Sequence, residues 1–235
     1  MVMDTGARIV LLVQRPLVPL LDGMPGIAQI VPYGGTVPYY DQHCSLMSLP
    51  RAFRTEPDTI PADVPYLHAP AHKVAEWARI LGPRDHRRRI AIAWSGSSSV
   101  WNRSMTLAKL APLLDRDDCA FHVAQTEISD ADRTLLDGMD FLVDHSRRLH
   151  DFADTAALLM HMDLVISVDT VLVHLAGALG RPVWTMLPLG ADYRWLTKGT
   201  TSAWYPTMRL YRQSAFDDWE PVVAAVGAAL DAEPA

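Results

Sequence analysis

From residue 90 onward the chain alternates short apolar runs with segments of helical spacing, and this alternation limits the possible folds more than any other feature. "IAIAW" (90–94), "AFHVA" (120–124), "FLVD" (141–144), "DLVISV" (163–168), "PVWTML" (182–187) and "MRLYR" (208–212) read as strands. Between and after them, "SMTLAKLAPLL" (104–114), "SDADRTLLDG" (129–138), "DFADTAALLMHM" (151–162), "VLVHLAGALG" (171–180) and "DWEPVVAAVGAAL" (218–230) carry the 3.6-residue period of helices. Ser129 and Asp132 have the spacing of a capping box, and Gly138 stands where that helix would close. The strands are continuously apolar rather than alternating, as expected when both faces of a sheet are buried. Strands separated by helices of about ten residues indicate a parallel sheet covered on both sides. The expectation is an α/β chain with one complete, doubly wound Rossmann-like domain over residues 86–235.

The first 85 residues read differently. "ARIVLLV" (7–13) and "IAQIVPY" (27–33) are strands around a short helix at "PLVPLLDGM" (16–24), and "KVAEWARILG" (73–82) is a helix closed by Gly82. "HCSLMSLPRAF" (43–53) is expected to add a strand or turn. "TEPDTIPADVPYLHAPAH" (55–72) is too rich in proline for helix or sheet, because proline lacks the N–H both require. Residues 1–85 are therefore expected to form a partial α/β domain ending in a proline-rich linker. A preceding strand–loop–helix unit is expected to be absent or to be supplied by another chain, which makes a homo-oligomer or partner chain plausible.

Composition excludes several functions. The formal net charge of -6 argues against a general nucleic-acid binder, which needs surplus cations to displace phosphate counterions. The basic run "RDHRRR" (84–89) lacks interleaved aromatics and reads as a solvated connector. Cys44 and Cys119 form neither a CxxC pair nor a disulfide framework. The nine histidines show no HExxH spacing, so no metal site is expected. No apolar run approaches the ~18 residues of a membrane helix, and the N-terminal stretch lacks the pattern of a signal peptide. The location expected is cytoplasmic. GxGxxG, GxxxxGK[ST] and GxSxG are all missing, which disfavours classical dinucleotide folds, P-loop enzymes and α/β-hydrolases.

In parallel α/β sheets ligands bind beyond the carboxyl ends of the strands, so the residues there are the candidates. After "IAIAW" comes "SGSSSVWNRS" (95–104), whose Ser95, Gly96 and Arg103 suit a phosphate: backbone N–H groups and a guanidinium ahead of a helix. A plain βα connection with a surface arginine fits the same residues. Gln125, after "FHVA", offers an amide to a base edge or is an ordinary polar loop residue. Asp151, Asp154 and Thr155 open a helix, where caps and dipole complements are the common role. After "DLVISV" come Asp169 and Thr170. Thr170 fits an N-cap, and His174 lies one turn further on the same face.

Taken together, these residues resemble a known family. "DLVISVDTVLVHLAGALGRPVWTMLP" is similar to the C-terminal nucleotide-sugar domain of GT-B-fold glycosyltransferases, and to the signature D-[TS]-x-x-x-H-x-A-x-A-L-G-x-P of the ADP-heptose:lipopolysaccharide heptosyltransferase-like family. Asp169, Thr170, His174, Ala176, Ala178, Leu179, Gly180 and Pro182 match it. More narrowly, "IAWSGSSSVWNRSMTLAKLAPLL", "DFADTAALL", "GADYRWL" (190–196), "AWYPTMRLYRQ" (203–213), "DDWEPVV" (217–223) and "GIAQIVPYGGTVPYYDQHCSLMSLPRAF" (26–53) resemble the glycosyltransferase-like domain that follows tetratricopeptide repeats in bacterial proteins.

The resemblance implies a nucleotide-sugar donor bound as substrate, with no cofactor and no metal. It implies that Ser95, Gly96, Arg103 and Thr170 address the diphosphate and that Gln125 and Thr155 lie near the nucleoside. Asp169 belongs to the same corner, and His174 supports the crevice. The family's glycine-rich loop and helix, which supply acceptor contacts and a candidate base, would precede this chain's first strand, so the acceptor and the catalytic residues stay unassigned. Tyr40, Asp41 and His43 are polar residues available to line the cleft. Three readings follow: an inverting, metal-independent glycosyltransferase; an inactive nucleotide-binding remnant or subunit that needs a partner chain; and a sugar-nucleotide epimerase-like protein.

Overall fold

The computed structural model describes residues 2–96 and 102–233. Its centre is a six-stranded, all-parallel sheet. The strands are β3 (Arg88–Ala93), β4 (Cys119–Val123), β5 (Val143–Asp144), β6 (Leu164–Val168), β7 (Val183–Leu187) and β8 (Met208–Arg212), in the order β5-β4-β3-β6-β7-β8. A smaller parallel pair precedes it, β1 (Ile9–Val13) beside β2 (Ile27–Pro32). The helices are α1 (Val18–Leu21), α2 (Leu49–Ala52), α3 (Ala71–Leu81), α4 (Leu107–Leu110), α5 (Asp130–Leu136), α6 (Phe152–Leu159), α7 (Val171–Ala178) and α8 (Glu220–Ala232). Among the described residues no helix is long and apolar enough to cross a membrane.

The expected doubly wound sheet is present, and strand alternation explains its two cores. Ile90, Ile92 and Trp94 of the β3 run point to one face, where they meet Leu107, Leu110, Leu136, Trp219 and Val226. Ala91 and Ala93 point to the other, against Ala153, Ala156, Ala157 and Val173. Leu20 of α1 and Trp77 of α3 join this second core, so the first 85 residues pack directly on the sheet's helical cover.

Two elements differ from the sequence expectation. Of the strand or turn expected over 43–53, the structure has the turn, a 3-10 turn at Leu46–Ser48, and adds α2 after it, because Pro50 suits the first turn of a helix and cannot serve a ladder. The helix expected over 104–114 is one α turn, α4, followed by a 3-10 turn at Ala111–Leu113. Met105 N–H still donates to the Trp94 carbonyl (2.9 Å), which keeps the chain extended up to the Thr106 cap. Pro112 then removes a helical donor.

The basic run 84–89 is only partly a solvated connector. Arg84 pairs with Asp163 and Arg87 with Asp85 at the surface. Arg89 is buried, and its Nη2 donates to the carbonyls of Leu81, Gly82 and Pro83 at 3.4, 3.1 and 2.9 Å. It caps the end of α3, where a cation also complements the helix dipole.

Candidate functional site at the switch point of the sheet

The strand order reverses between β3 and β6. From β3 the chain moves outward to β4 and β5, then returns to lay β6 on the other side of β3. That reversal opens a crevice beyond the carboxyl ends of the two strands. Ala93 pairs with Ser167, so Ser95–Gly96 and Asp169–Thr170 emerge side by side at the crevice.

Gly96 shows how tight this corner is. A Cβ at position 96 would stand 3.0 Å from Thr170 Cγ2 and 3.1 Å from both Nε and Nη2 of Arg103. Any larger residue would make Thr170 or Arg103 give way by a few tenths of an ångström. Two of the residues singled out from sequence, Arg103 and Thr170, thus both lie against a third, Gly96. The Gly96 N–H donates to Ser104 Oγ (3.1 Å), which folds the loop back on itself. The remainder of that loop, residues 97–101, lies outside the described residues. Arg103 Nε is buried and has no hydrogen-bond partner among the described residues. A buried guanidinium N–H without a partner is costly, and an anionic ligand oxygen would satisfy it.

Thr170 caps α7 as expected, its Oγ1 accepting from the Leu172 N–H at 3.2 Å. Val171, the first helical residue, is exposed at the crevice, so the positive end of the helix dipole faces it. Gly180, with φ +68°, ends the same helix, and the Arg181 N–H returns to the Ala176 carbonyl (2.9 Å). This is the physical content of the G-x-P part of the motif: glycine stops the helix in a left-handed turn, and β7 starts beyond Pro182.

Gln125 and Thr155 occupy inner positions. Gln125 Oε1 accepts from the N–H groups of Trp94 and Ser95, both at 2.9 Å, and its Nε2 donates to Ser95 Oγ (2.6 Å) and the Glu127 carbonyl (2.7 Å). Its amide is engaged within the chain and clips the β4 end to the β3 end. Thr155 is buried with its hydroxyl donating to the Asp151 carbonyl at 3.2 Å. Asp151 is the N-cap of α6, accepting from the Asp154 N–H. Asp154 does more than cap: its Oδ2 accepts the His150 N–H at 3.2 Å ahead of α6, while its buried Oδ1 takes Lys73 Nζ at 2.9 Å and Trp77 Nε1 at 3.4 Å, tying α3 to α6.

His174 is half-buried. Its Nε2 stands 3.8 Å from Asp169 Oδ1, and its Nδ1 is 3.1 Å from the Tyr205 hydroxyl. Its ring stacks on Trp195 with centroids 5.1 Å apart. Burial, followed by the nearby Arg194 guanidinium, lowers its pKa to about 4, so the ring is neutral at pH 7. Arg194 and Asp192 follow β7, with Arg194 Nε on Asp192 Oδ1 at 2.7 Å. The roles of Asp192, Arg194, Trp195 and Tyr205 do not emerge from motif spacing. The strand-end rule would have reached the first three through "GADYRWL", which follows β7. Tyr205 has no such signal, since only folding brings it over α7. Tyr40, Asp41 and His43 are exposed, with Tyr40 and His43 edge to face at 5.8 Å.

Comparison with known proteins then bears on these residues directly. Residues 149–188 match the family model of Glycosyltransferase family 9 (heptosyltransferase). That segment runs through α6, β6, Asp169, Thr170, His174 and β7, so the match falls on the central strand–helix–strand of the site. Over 81 residues the chain is 37% identical to Protein FlbA of Caulobacter vibrioides; the matched segment is 34% of this chain and 13% of FlbA. The fold is similar to that of E. coli ADP-heptose LPS heptosyltransferase II, with a TM-score of 0.59 and 11% identity over 98% of this chain and 93% of that one. It is also similar to a glycosyl transferase family 9 structure from Veillonella parvula, with a TM-score of 0.60 and 11% identity over 95% of this chain and 80% of that one. The architecture is therefore α/β and GT-B-like.

Proposed function

We propose that this chain is a glycosyltransferase-like protein that holds a nucleoside-diphosphate sugar across the carboxyl ends of β3 and β6. The observation that carries the reading is Arg103: its Nε is buried without a partner among the described residues, in contact distance of Gly96, beside the Thr170 cap of α7. Each of these features favours negative charge, and together they suit a diphosphate. In glycosyl transfer the diphosphate departs as the sugar's anomeric carbon is attacked. Donors fixed in advance stabilise the charge that develops on the leaving oxygen. On this reading Arg103 and the α7 N-terminus supply that stabilisation without a metal, and attack from the opposite face inverts the anomeric centre. The base, the sugar and the acceptor are open to assignment by assay.

Calorimetric titration with ADP, UDP, GDP and their sugar derivatives tests the reading. One of them should bind, and Arg103→Ala should weaken it by roughly 1.5–3 kcal/mol, the range for a charge-assisted hydrogen bond. Failure of every nucleotide to bind the wild-type chain would overturn the reading. Unchanged affinity in Arg103→Ala would remove that residue from the site.

A second reading, a nucleotide-binding subunit without transfer of its own, is supported by the first sheet. It has two strands among the described residues, and Leu12 on β1 is 41% exposed. Binding without turnover, followed by turnover on adding a partner chain, would select it.

A further inference from the structure

His174 is neutral at pH 7 and therefore carries its single ring proton on one of two nitrogens, and its surroundings determine which. The ring is held flat against Trp195 (centroids 5.1 Å, 20° between planes) and meets Tyr205 edge-on (5.8 Å, 62°). One nitrogen, Nε2, faces the Asp169 carboxylate at 3.8 Å. This is beyond hydrogen-bond length, yet at this separation a lone pair directed at a carboxylate is still repelled and an N–H attracted. The other nitrogen, Nδ1, faces the Tyr205 hydroxyl at 3.1 Å. A phenol can donate there, and burial followed by the neighbouring Tyr66 hydroxyl pushes the Tyr205 pKa far above its ordinary range, so the proton stays on the oxygen.

The chain makes specific room for this tyrosine. Gly177 lies three residues after His174 on α7, on the same side of the helix. A Cβ at position 177 would come within 2.4 Å of Tyr205 Cγ and 2.5 Å of Cδ1. The ring can lie on the helix only because this position is glycine. The proline-rich segment fastens the same place from outside: the N–H groups of Tyr66 and Leu67 both donate to the Ala178 carbonyl, at 3.0 and 3.2 Å.

We propose that Tyr205 is a positioning residue that donates to Nδ1 of His174 and so fixes the Nε2–H tautomer, which presents an N–H toward Asp169 and the crevice. Its consequence for ligand binding rests on the function proposed above, since an N–H at that edge can meet a ligand oxygen only if the crevice is the ligand site. The tautomer itself is set by groups of the chain, Asp169 and Tyr205 at the two ring nitrogens and the Tyr66 hydroxyl beside Tyr205, with no ligand involved.

Long-range proton–nitrogen NMR of 15N-histidine-labelled protein, without ligand at pH 7.5, reads the tautomer directly. The His174 resonances are assigned by their loss in His174→Gln. The expected result is a single Nε2–H form in the wild type and a mixture of both tautomers in Tyr205→Phe. An Nδ1–H form or a charged ring in the wild type would overturn the proposal, and that spectrum needs no Tyr205 variant to fold. Pure Nε2–H in a folded Tyr205→Phe protein would overturn it as well, since Asp169 would then suffice. A nucleotide titration that fails leaves these spectra unaffected, so the two readings fall separately.

Discussion

Replacing Asp132 with alanine should lower the stability of the chain by about 3–5 kcal/mol, as read by urea unfolding, with no change at the protein surface to account for it. Asp132 is 7% exposed, and its two carboxylate oxygens serve different elements. Oδ2 accepts from Trp94 Nε1 at 3.0 Å, and Oδ1 accepts from the Leu107 N–H, in the first turn of α4, at 2.8 Å. Its own N–H is taken by Ser129 Oγ at 3.2 Å. Alanine would keep the last bond and strand the other two donors in an apolar core, each costing about 1–3 kcal/mol. Asp132→Asn should cost less than the alanine variant, because one oxygen survives. A loss below about 1 kcal/mol in Asp132→Ala would show that both donors find other partners. Trp94 immediately precedes Ser95, so this carboxylate also anchors the root of the loop that forms one wall of the crevice.

Acid should destabilise the chain well above the range where carboxylates titrate. His122 on β4 and His145 after β5 are 5% and 3% exposed and share one hydrogen bond, Nδ1 to Nε2, at 3.0 Å. Burial, followed for His122 by the neighbouring imidazole, holds both pKa values well below 6.5. The unfolded chain takes up a proton on each near pH 6.5, while the native chain stays neutral down to about pH 4. Stability is therefore fully present above pH 6.5 and is lost as the pH falls toward 4. The slope is up to about 1.4 kcal/mol per pH unit for each histidine. Urea unfolding at pH 7.5, 6 and 5 should show this loss, and the double variant His122→Phe/His145→Leu should make it shallower, leaving the share of His174, whose pKa burial also lowers to about 4. Equal slopes in the two proteins would place the acid sensitivity elsewhere.

How much of this was legible in the sequence depends on whether the cause is local. The six strands and their helices follow from continuous apolar runs and from caps such as Ser129 and Thr170, whose partners lie two or three residues away. Asp132 shows the limit. It stands at capping-box spacing, yet its carboxylate turns inward to Trp94 and Leu107, 38 and 25 residues distant. Asp154 likewise looks like a helix-start residue and serves Lys73 and Trp77 on another helix. In the site, strand ends could be located by hydropathy, which finds Ser95, Gly96, Asp169 and Thr170. That Arg103 turns back onto Gly96 depends on the path of a loop, and Tyr205 meets His174 across 31 residues. Neither has a periodic signature.

Gln125 shows how narrowly one position can be coded. Its side chain receives two hydrogens on one atom and gives two from the other. Glutamate has the same shape but would set oxygen against the Glu127 carbonyl, and methionine or leucine would leave the Trp94 and Ser95 amides unanswered. Size, polarity and hydrogen-bond direction are all specified at once, so no single-nucleotide neighbour of a glutamine codon restores the clip. Mutational tolerance at the crevice should therefore be lowest not only among residues that face it, but also one strand away, at a side chain facing inward.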